Sequence, residues 1–415
     1  DRQMGNILNI INSDEHFYNL SEDCKENYME CLDGPFMSKE VKEHFRLTIV
    51  NVDSINENKK YIYPIECKTI DAVFSGLNHI PQKVMDMVNK DKCKVIFSYE
   101  SEGDFPNEDF NEWFYKSKFI LKEKIKLSNV YIFSNDFNAK KRNNTEINFF
   151  PSTHFLDTIS YQLNEIVTND NGHLDLWDFK YNFQFKTIYD IDIENKSKHF
   201  LSYLRNCVRP HRRALAAYFE HYDLWDKNII SFLKVSWGNK DDICEYLPRF
   251  LKQAESKLND RDIVEIDTQH LESKMGFNTI FSSKWEHYQD TFLSVVSETC
   301  YEQKSIYMSE KILKPIINLH PFIVFSTPYF LGKLHDLGFK TFAGFIDESY
   351  DDELNPQKRL MKIFAELDKF RNKTNDELKY WWSDILPVLE HNQKRLLELG
   401  QQKTDKIKLL ENLYD

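Results

Sequence analysis

Apolar residues along this chain fall into two patterns. Short continuous runs have the length of buried strands. Between them lie stretches where apolar positions recur every three or four residues, the spacing of one helix face. In the first half, strands are predicted at 46–52, 71–74, 93–98 and 129–134. A helix is predicted at 81–89, with Val84, Met87 and Val88 inward, and another at 111–124. In the second half, 198–204, 229–236 and 292–296 read as strands, and 214–221 and 241–258 as mainly helical. A short helix is expected around Trp285, Tyr288 and Gln289. The densest pattern runs from Phe292 to Asp351. There the apolar run 292–296 ends in Ser297, Glu298 and Thr299. Ser309-Glu310-Lys311 then opens a helix with Ile312, Leu313, Ile316 and Ile317 on one face, and 321–325 is again a strand. Strand, loop, helix, strand is a βαβ unit, and its polar residues fall where open α/β sheets bind ligands.

Alternating strands and helices imply parallel sheets, and 415 residues are too many for one core. Four regions are expected: a preface at 1–40, small and helical or an addition beside the acceptor, an α/β domain at 41–190, a second at 191–375, and a charged helical segment at 376–415. The composition, 41% hydrophobic and 29% charged, is that of a soluble globular protein. A formal charge of -12 disfavours polyanions as the main partner, which sets a nucleic-acid acceptor behind others. The seven cysteines show no close CxxC or Cys/His metal spacing, so free thiols in a reducing, cytoplasmic setting are expected. The first residues lack a basic segment followed by an apolar core, and no run has the length of a membrane span. The four Asn-x-Ser/Thr sequences are then read as chance.

Two places could carry chemistry. Arg205, Arg209, Arg212 and Arg213 lie in a basic turn after the 198–204 strand, suited to bidentate phosphate binding. Lys311 stands at a helix start, where free N–H groups and the positive dipole end favour anions. Pro315 removes one internal N–H from that helix. Glu310 is a poor phosphate ligand but a good acceptor for ribose hydroxyls. Ser-Glu-Lys is equally an ordinary capped helix start, and the arginines equally a solvated face. Their shared position, after strands and before helices of one domain, favours a nucleoside-diphosphate site. The second place is the carboxylate cluster Glu100, Glu102 and Asp104 after the 93–98 strand. Glu102, next to Gly103, is the preferred general base, with Glu100 in reserve and His211 a weaker alternative. Asp190-Ile-Asp192 has the spacing of a metal turn but falls in the interdomain connection.

Tyr307-Met-Ser-Glu-Lys311, with its preceding strand and the following HPFIVF, resembles the donor-binding motif of the α1,3-fucosyltransferases. Arg209-Pro-His-Arg-Arg213 is similar to that family's Pro-x-Arg segment, and Glu298-Thr299 stands where the family has Glu-Asn. The resemblance covers about Phe200 to Phe345. It implies an α/β, GT-B-like fold: two Rossmann-like domains facing a cleft, donor in the second, acceptor in the first. It also implies that Arg212 and Lys311 bind the diphosphate, that Glu310 holds the ribose, and that Tyr307 lies beside the nucleotide. Arg209, Ser309 and Glu298 complete the expected donor set. The expected activity is metal-independent, inverting transfer from a nucleotide-diphosphate sugar to a glycan or other hydroxyl-bearing acceptor. A non-catalytic nucleotide- or glycan-binding module and a DNA-base glycosyltransferase are the alternatives.

Overall fold

The computed structural model describes residues 6–11, 44–67, 80–99, 125–134, 136–137, 148–151, 174–176, 179–181, 185–204, 209–232, 246–262, 284–302, 305–402 and 405–412, with single positions (41, 156, 163, 167, 207 and 264) between them. The expected strand at 71–74 and helix at 111–124 lie outside these residues. The chain divides into two units, one of residues 1–158 with 402–415, the other of residues 159–401.

In the first unit six strands, β1 (Asn6–Ile11), β2 (Phe45–Val50), β3 (Tyr61–Cys67), β4 (Cys93–Tyr99), β5 (Val130–Ser134) and β6 (Asn148–Pro151), form one parallel sheet ordered β2-β1-β3-β4-β5-β6. Strand alternation sends successive residues to opposite faces. Tyr63, Val95 and Phe97 pack with Val84, Met87 and Val88 of α1 (Gln82–Asn89). Ile62 and Ile96 face the other way, onto Leu8, Ile10 and two residues from the end of the chain, Ile407 and Leu410. The sheet is thus covered on both sides, as a Rossmann-like layer requires.

Asn6–Ile11, within the expected preface at 1–40, is a strand and not a helix. It is an inner strand, hydrogen-bonded between β2 and β3, with Leu8, Ile10 and Ile11 buried. Its six residues hold two asparagines and sit in a polar stretch, so no helical or strand period stood out. Strand β3 also escaped the pattern, because Pro64 and Glu66 interrupt its apolar run.

In the second unit a two-stranded antiparallel ribbon, β7 (Leu174–Leu176) and β8 (Phe179–Tyr181), precedes a four-stranded parallel sheet. Its strands are β9 (Lys198–Leu204), β10 (Ile229–Phe232), β11 (Thr291–Ser297) and β12 (Phe322–Phe325), ordered β10-β9-β11-β12. Between them run α2 (Pro210–His221), α3 (Lys252–Lys257), α4 (Trp285–Asp290) and α5 (Glu310–Ile317). After β12 come α6 (Phe330–Asp336), α7 (Pro356–Arg371) and α8 (Asn375–Gln401), and α9 (Asp405–Asn412) belongs to the first unit. The α/β class, the two Rossmann-like sheets and the helical C-terminal part are as expected. The chain leaves β9 towards β10 on one side and returns to β11 on the other. That reversal is a topological switch point, and it lies between β9 and β11.

The division after Thr158 precedes the position near 190 expected from the sequence. Residues just before β9 are bonded to the second unit: Gln393 donates to the Lys186 carbonyl at 2.8 Å and Gln289 to the Asp190 carbonyl at 2.6 Å. Asp190 itself accepts from the backbone and hydroxyl of Thr187, closing a capping box. Asp192 accepts from Glu194 N and Asn195, so both carboxylates serve local turns. Among the described residues no helix is long and apolar enough to cross a membrane.

Candidate functional site

The carboxyl ends of β9 and β11 are tied together by the start of α2. This helix begins at Pro210, so His211, Arg212 and Arg213 stand in its first turn and not in an extended basic turn. Pro at the first helical position gives up an N–H that would have had no partner. Arg209 donates to the Thr299 carbonyl at 2.6 Å. Arg212 Nη2 donates to the carbonyls of Ser297 and Glu298 at 3.1 and 3.2 Å, and His211 Nε2 to that of Glu298 at 2.9 Å. Arg209, His211 and Arg212 therefore collect the carbonyls of Ser297, Glu298 and Thr299, at the end of β11 and just beyond it. Arg213 points elsewhere, pairing with Glu255 and donating to Asn259 at 2.8 Å. Arg205 lies outside the described residues.

An aromatic stack holds the loop beyond β11. The His211 ring lies against Tyr301 with centroids 5.0 Å apart and planes within 12°, and Tyr246 stacks on the same ring at 5.7 Å. The Arg359 guanidinium sits 4.3 Å from the Tyr301 ring and bonds the Tyr301 carbonyl. Burial, and then the charge of Arg212, push His211 well below its ordinary pKa. Its ring is neutral, with Nε2 carrying the hydrogen that it donates.

Helix α5 supplies the other half. Ser309 is its N-cap, and the Ser309 hydroxyl accepts from Lys311 N at 3.3 Å. The same hydroxyl donates to Glu298 Oε2 at 2.6 Å, so Glu298 fixes the cap from β11. Lys311 Nζ reaches Ser309 Oγ at 3.1 Å and Glu310 Oε1 at 2.9 Å. The two carboxyls have opposite fates. Complete burial raises the Glu298 carboxyl above the ordinary range, against the pull of Lys311 and the Ser309 bond. Burial acts on Glu310 in the same sense, but Lys311 and Lys314 outweigh it and hold Glu310 below the ordinary range, hence ionised. Tyr307 is buried just before this turn.

Arg212, Lys311, Lys314 and Ser297 line one small cavity of about 40 Å³, closed by Tyr203 and Pro315. It lies at the switch point, between α5 and the strands β9 and β11. The structure thus brings together Arg212, Lys311, Glu310, Ser309 and Glu298, with Arg209 on the adjoining carbonyl. Lys314 was missed. It is 3% exposed, with its ammonium 5.4 Å from the Tyr203 ring centroid. The signal available was a lysine three residues after Lys311, inside the apolar run of α5. Glu100 and Glu102 lie outside the described residues.

No family model and no curated protein sequence matches the chain. Solved structures do. An α1,3-fucosyltransferase with GDP is similar over 94% of each chain, at 11% identity and a TM-score of 0.33. A UDP-forming α,α-trehalose-phosphate synthase from Burkholderia vietnamiensis is similar over 95% of this chain and 78% of its own, at 8% identity and a TM-score of 0.38. The α,α-trehalose 6-phosphate synthase of Burkholderia multivorans is similar over 86% of this chain and 72% of its own, at 9% identity and a TM-score of 0.37. At these values the similarities assign no function by themselves.

Proposed function

We propose that this chain is a glycosyltransferase of GT-B type that takes a nucleotide-diphosphate sugar as donor. The observation that carries this is the meeting of Arg212 and Lys311 at one cavity, beside an ionised Glu310, at a switch point of a parallel sheet. Ligands of open α/β sheets bind at such points. Two cations there suit a diphosphate, and a carboxylate fixed next to them suits the hydroxyls of a ribose. Lys311 exchanges its bonds to Ser309 and Glu310 for phosphate oxygens. Arg212, anchored by two carbonyls, contributes a fixed charge in a site of low dielectric. As the glycosidic bond breaks, the diphosphate gains negative charge, and both cations stabilise it more than in the ground state. Tyr307 lies beside the nucleotide. Glu102, with Glu100 in reserve, takes the proton of the acceptor hydroxyl as its oxygen bonds to the anomeric carbon and the nucleoside diphosphate leaves, a single displacement that inverts the configuration.

Calorimetric titration with UDP and GDP tests this. The wild type is expected to bind at least one. Lys311→Ala should weaken that binding by about 1.5–3 kcal/mol, the usual worth of a charge-assisted bond. It should also lower kcat in a transfer assay. Glu310→Ala should weaken binding with little change in kcat, because ribose hydroxyls carry no developing charge. Unchanged affinity in Lys311→Ala would leave Ser-Glu-Lys as a helix cap only.

A further inference from the structure

The proposed transfer gives no task to Lys314. This lysine sits four residues after Glu310 on α5, a spacing at which helical side chains meet, with the glutamate on the N-terminal side as such pairs prefer. The two lysines next to Glu310 are placed differently. The Lys311 side chain is 23% exposed, and its Nζ reaches Ser309 and Glu310. Lys314 is 3% exposed and lines the cavity beneath α5, with its ammonium 5.4 Å from the Tyr203 ring centroid. That ring is itself fixed, since the Tyr203 hydroxyl bonds His287 Nδ1 at 2.9 Å. A buried ammonium is costly without an anion, and a ring face offsets only part of the cost. Of the two buried carboxyls at this site, Glu298 is pushed toward its neutral form, which leaves Glu310 as the anion.

Donor binding changes the balance around Glu310. The charged groups that face it are Lys311 and Lys314 of its own helix, Arg212 of α2, and Glu298 just after β11. Lys311 turns to the diphosphate, and Arg212 faces the same phosphates from its carbonyl anchors. The diphosphate also brings negative charge beside Glu310. Burial then opposes the ionisation of a carboxyl that is 5% exposed. A protonated Glu310 gives up one oxygen as a donor and loses the charge that makes its bonds to ribose hydroxyls strong. The cation that stays is Lys314. A cavity of about 40 Å³ holds water-sized occupants and not a diphosphate, so the ligand stays on the Lys311 side and does not follow Lys314 under the helix.

We propose that Lys314 is a positioning residue: it takes over as the counter-ion of Glu310 when Lys311 moves to the diphosphate, and so keeps Glu310 a charged acceptor for the ribose hydroxyls. This rests on the nucleotide-sugar function proposed above. The test is calorimetric titration of UDP, GDP and pyrophosphate, the last having no ribose, from pH 6 to pH 8. The proteins are the wild type, Lys314→Met, Lys314→Arg, Glu310→Gln and the double variant Glu310→Gln/Lys314→Met. Protonation of the ligand is common to all of them and cancels in the ratio of variant to wild-type Kd at each pH. For the nucleotide that binds the wild type better, the Lys314→Met ratio should grow about tenfold from pH 8 to pH 6, the difference between a charged and a neutral acceptor. The sign follows because loss of the cation raises the Glu310 pKa, and the carboxyl then takes a proton as pH falls. Lys314→Arg should stay near the wild type. Pyrophosphate should show no such growth, and neither should the double variant measured against Glu310→Gln. A ratio that is flat with pH for the nucleotide is what a merely structural lysine gives, and it overturns the proposal. Equal growth for pyrophosphate would make Lys314 a phosphate ligand and overturns it too, as does growth that persists without Glu310. If Lys314→Met does not fold, Lys314→Gln carries the same expectation. A wild type that binds neither UDP nor GDP defeats the donor site, and the proposal with it.

Discussion

Glu298 joins β11 to the cap of α5, and its chemistry has a cost. Its carboxyl is completely buried and its pKa is raised by that burial. A group that binds its proton more tightly folded than unfolded contributes stability below its unfolded pKa. That contribution is lost as pH rises through the folded value. Glu310 has the opposite sign: its depressed pKa contributes stability above the unfolded value, lost as pH falls through the folded one. Glu298→Gln should therefore retain the Ser309 bond and abolish the downward slope of stability above about pH 4.5, the unfolded value. Glu310→Gln should lower the melting temperature at pH 7. Melting curves of both variants across pH 4 to 8 read this out, and equal slopes in Glu298→Gln and the wild type would contradict it. Much of this site was legible in the residues. A polar Ser-Glu-Thr after an apolar run and Ser-Glu-Lys before another identified both ends. Lys314 was not legible, because its interest lies in being buried, and burial of a polar side chain leaves no mark on a periodic pattern.

At the scale of elements, the second sheet is held by polar atoms that close helix and strand ends. Lys196 is the clearest case. Its ammonium donates to the carbonyls of Tyr288 at 2.7 Å, Gln289 at 3.3 Å and Thr291 at 2.8 Å, where α4 passes into β11. The Trp382 ring of α8 lies 4.3 Å away, and its Nε1 donates to the Phe292 carbonyl at 3.1 Å. Burial, opposed by Asp290, pushes the Lys196 pKa down to about 7. Between there and the unfolded value of 10.5, the unfolded chain holds a proton that the folded one has released, so stability rises with pH. The slope approaches about 1.4 kcal/mol per pH unit. Lys196→Met should remove that rise and, by leaving three carbonyls without a donor, destabilise by about 1–3 kcal/mol. Urea titrations at pH 7 and 9 decide it: a variant as stable as the wild type, with the same pH response, refutes the role. Helices α7 and α8 are bound in similar fashion. Tyr218 of α2 donates to Asp368 at 2.8 Å and stacks on Phe364 at 4.7 Å. The strand at 198–204 and the helix at 81–89 were readable almost to the residue, since long apolar runs and clear periods survive any context. The start of α2 was not: Pro210 among Arg209, His211 and Arg212 looks like a turn until the carbonyls that receive these side chains are known.

At the scale of the whole molecule, the residues proposed for the donor fall in 159–401 and the proposed base, Glu102, falls in 1–158. Glu102→Gln should lower turnover by about two or more orders of magnitude, the usual contribution of a general base, and leave the titration of nucleoside diphosphate unchanged. Transfer should also persist in EDTA, with Arg212 and Lys311 in the role a divalent ion would take. Activity lost to the chelator and restored by manganese would contradict this. The two-sheet architecture was visible in the alternation of strand and helix, whereas the chain's path between the sheets was not. Nothing local in 405–412 says that Ile407 and Leu410 pack on Leu8 and Ile10. That return has a consequence for biosynthesis. The second unit is one unbroken stretch, and all of it is translated before α9. The first unit is begun earlier but lacks α9 until translation has passed residue 401. The part of its sheet that Ile407 and Leu410 cover must wait on the ribosome while every strand of the second unit emerges. The half of the molecule made first is the half completed last, and its apolar β1 is what a nascent chain would present to chaperones in the interval.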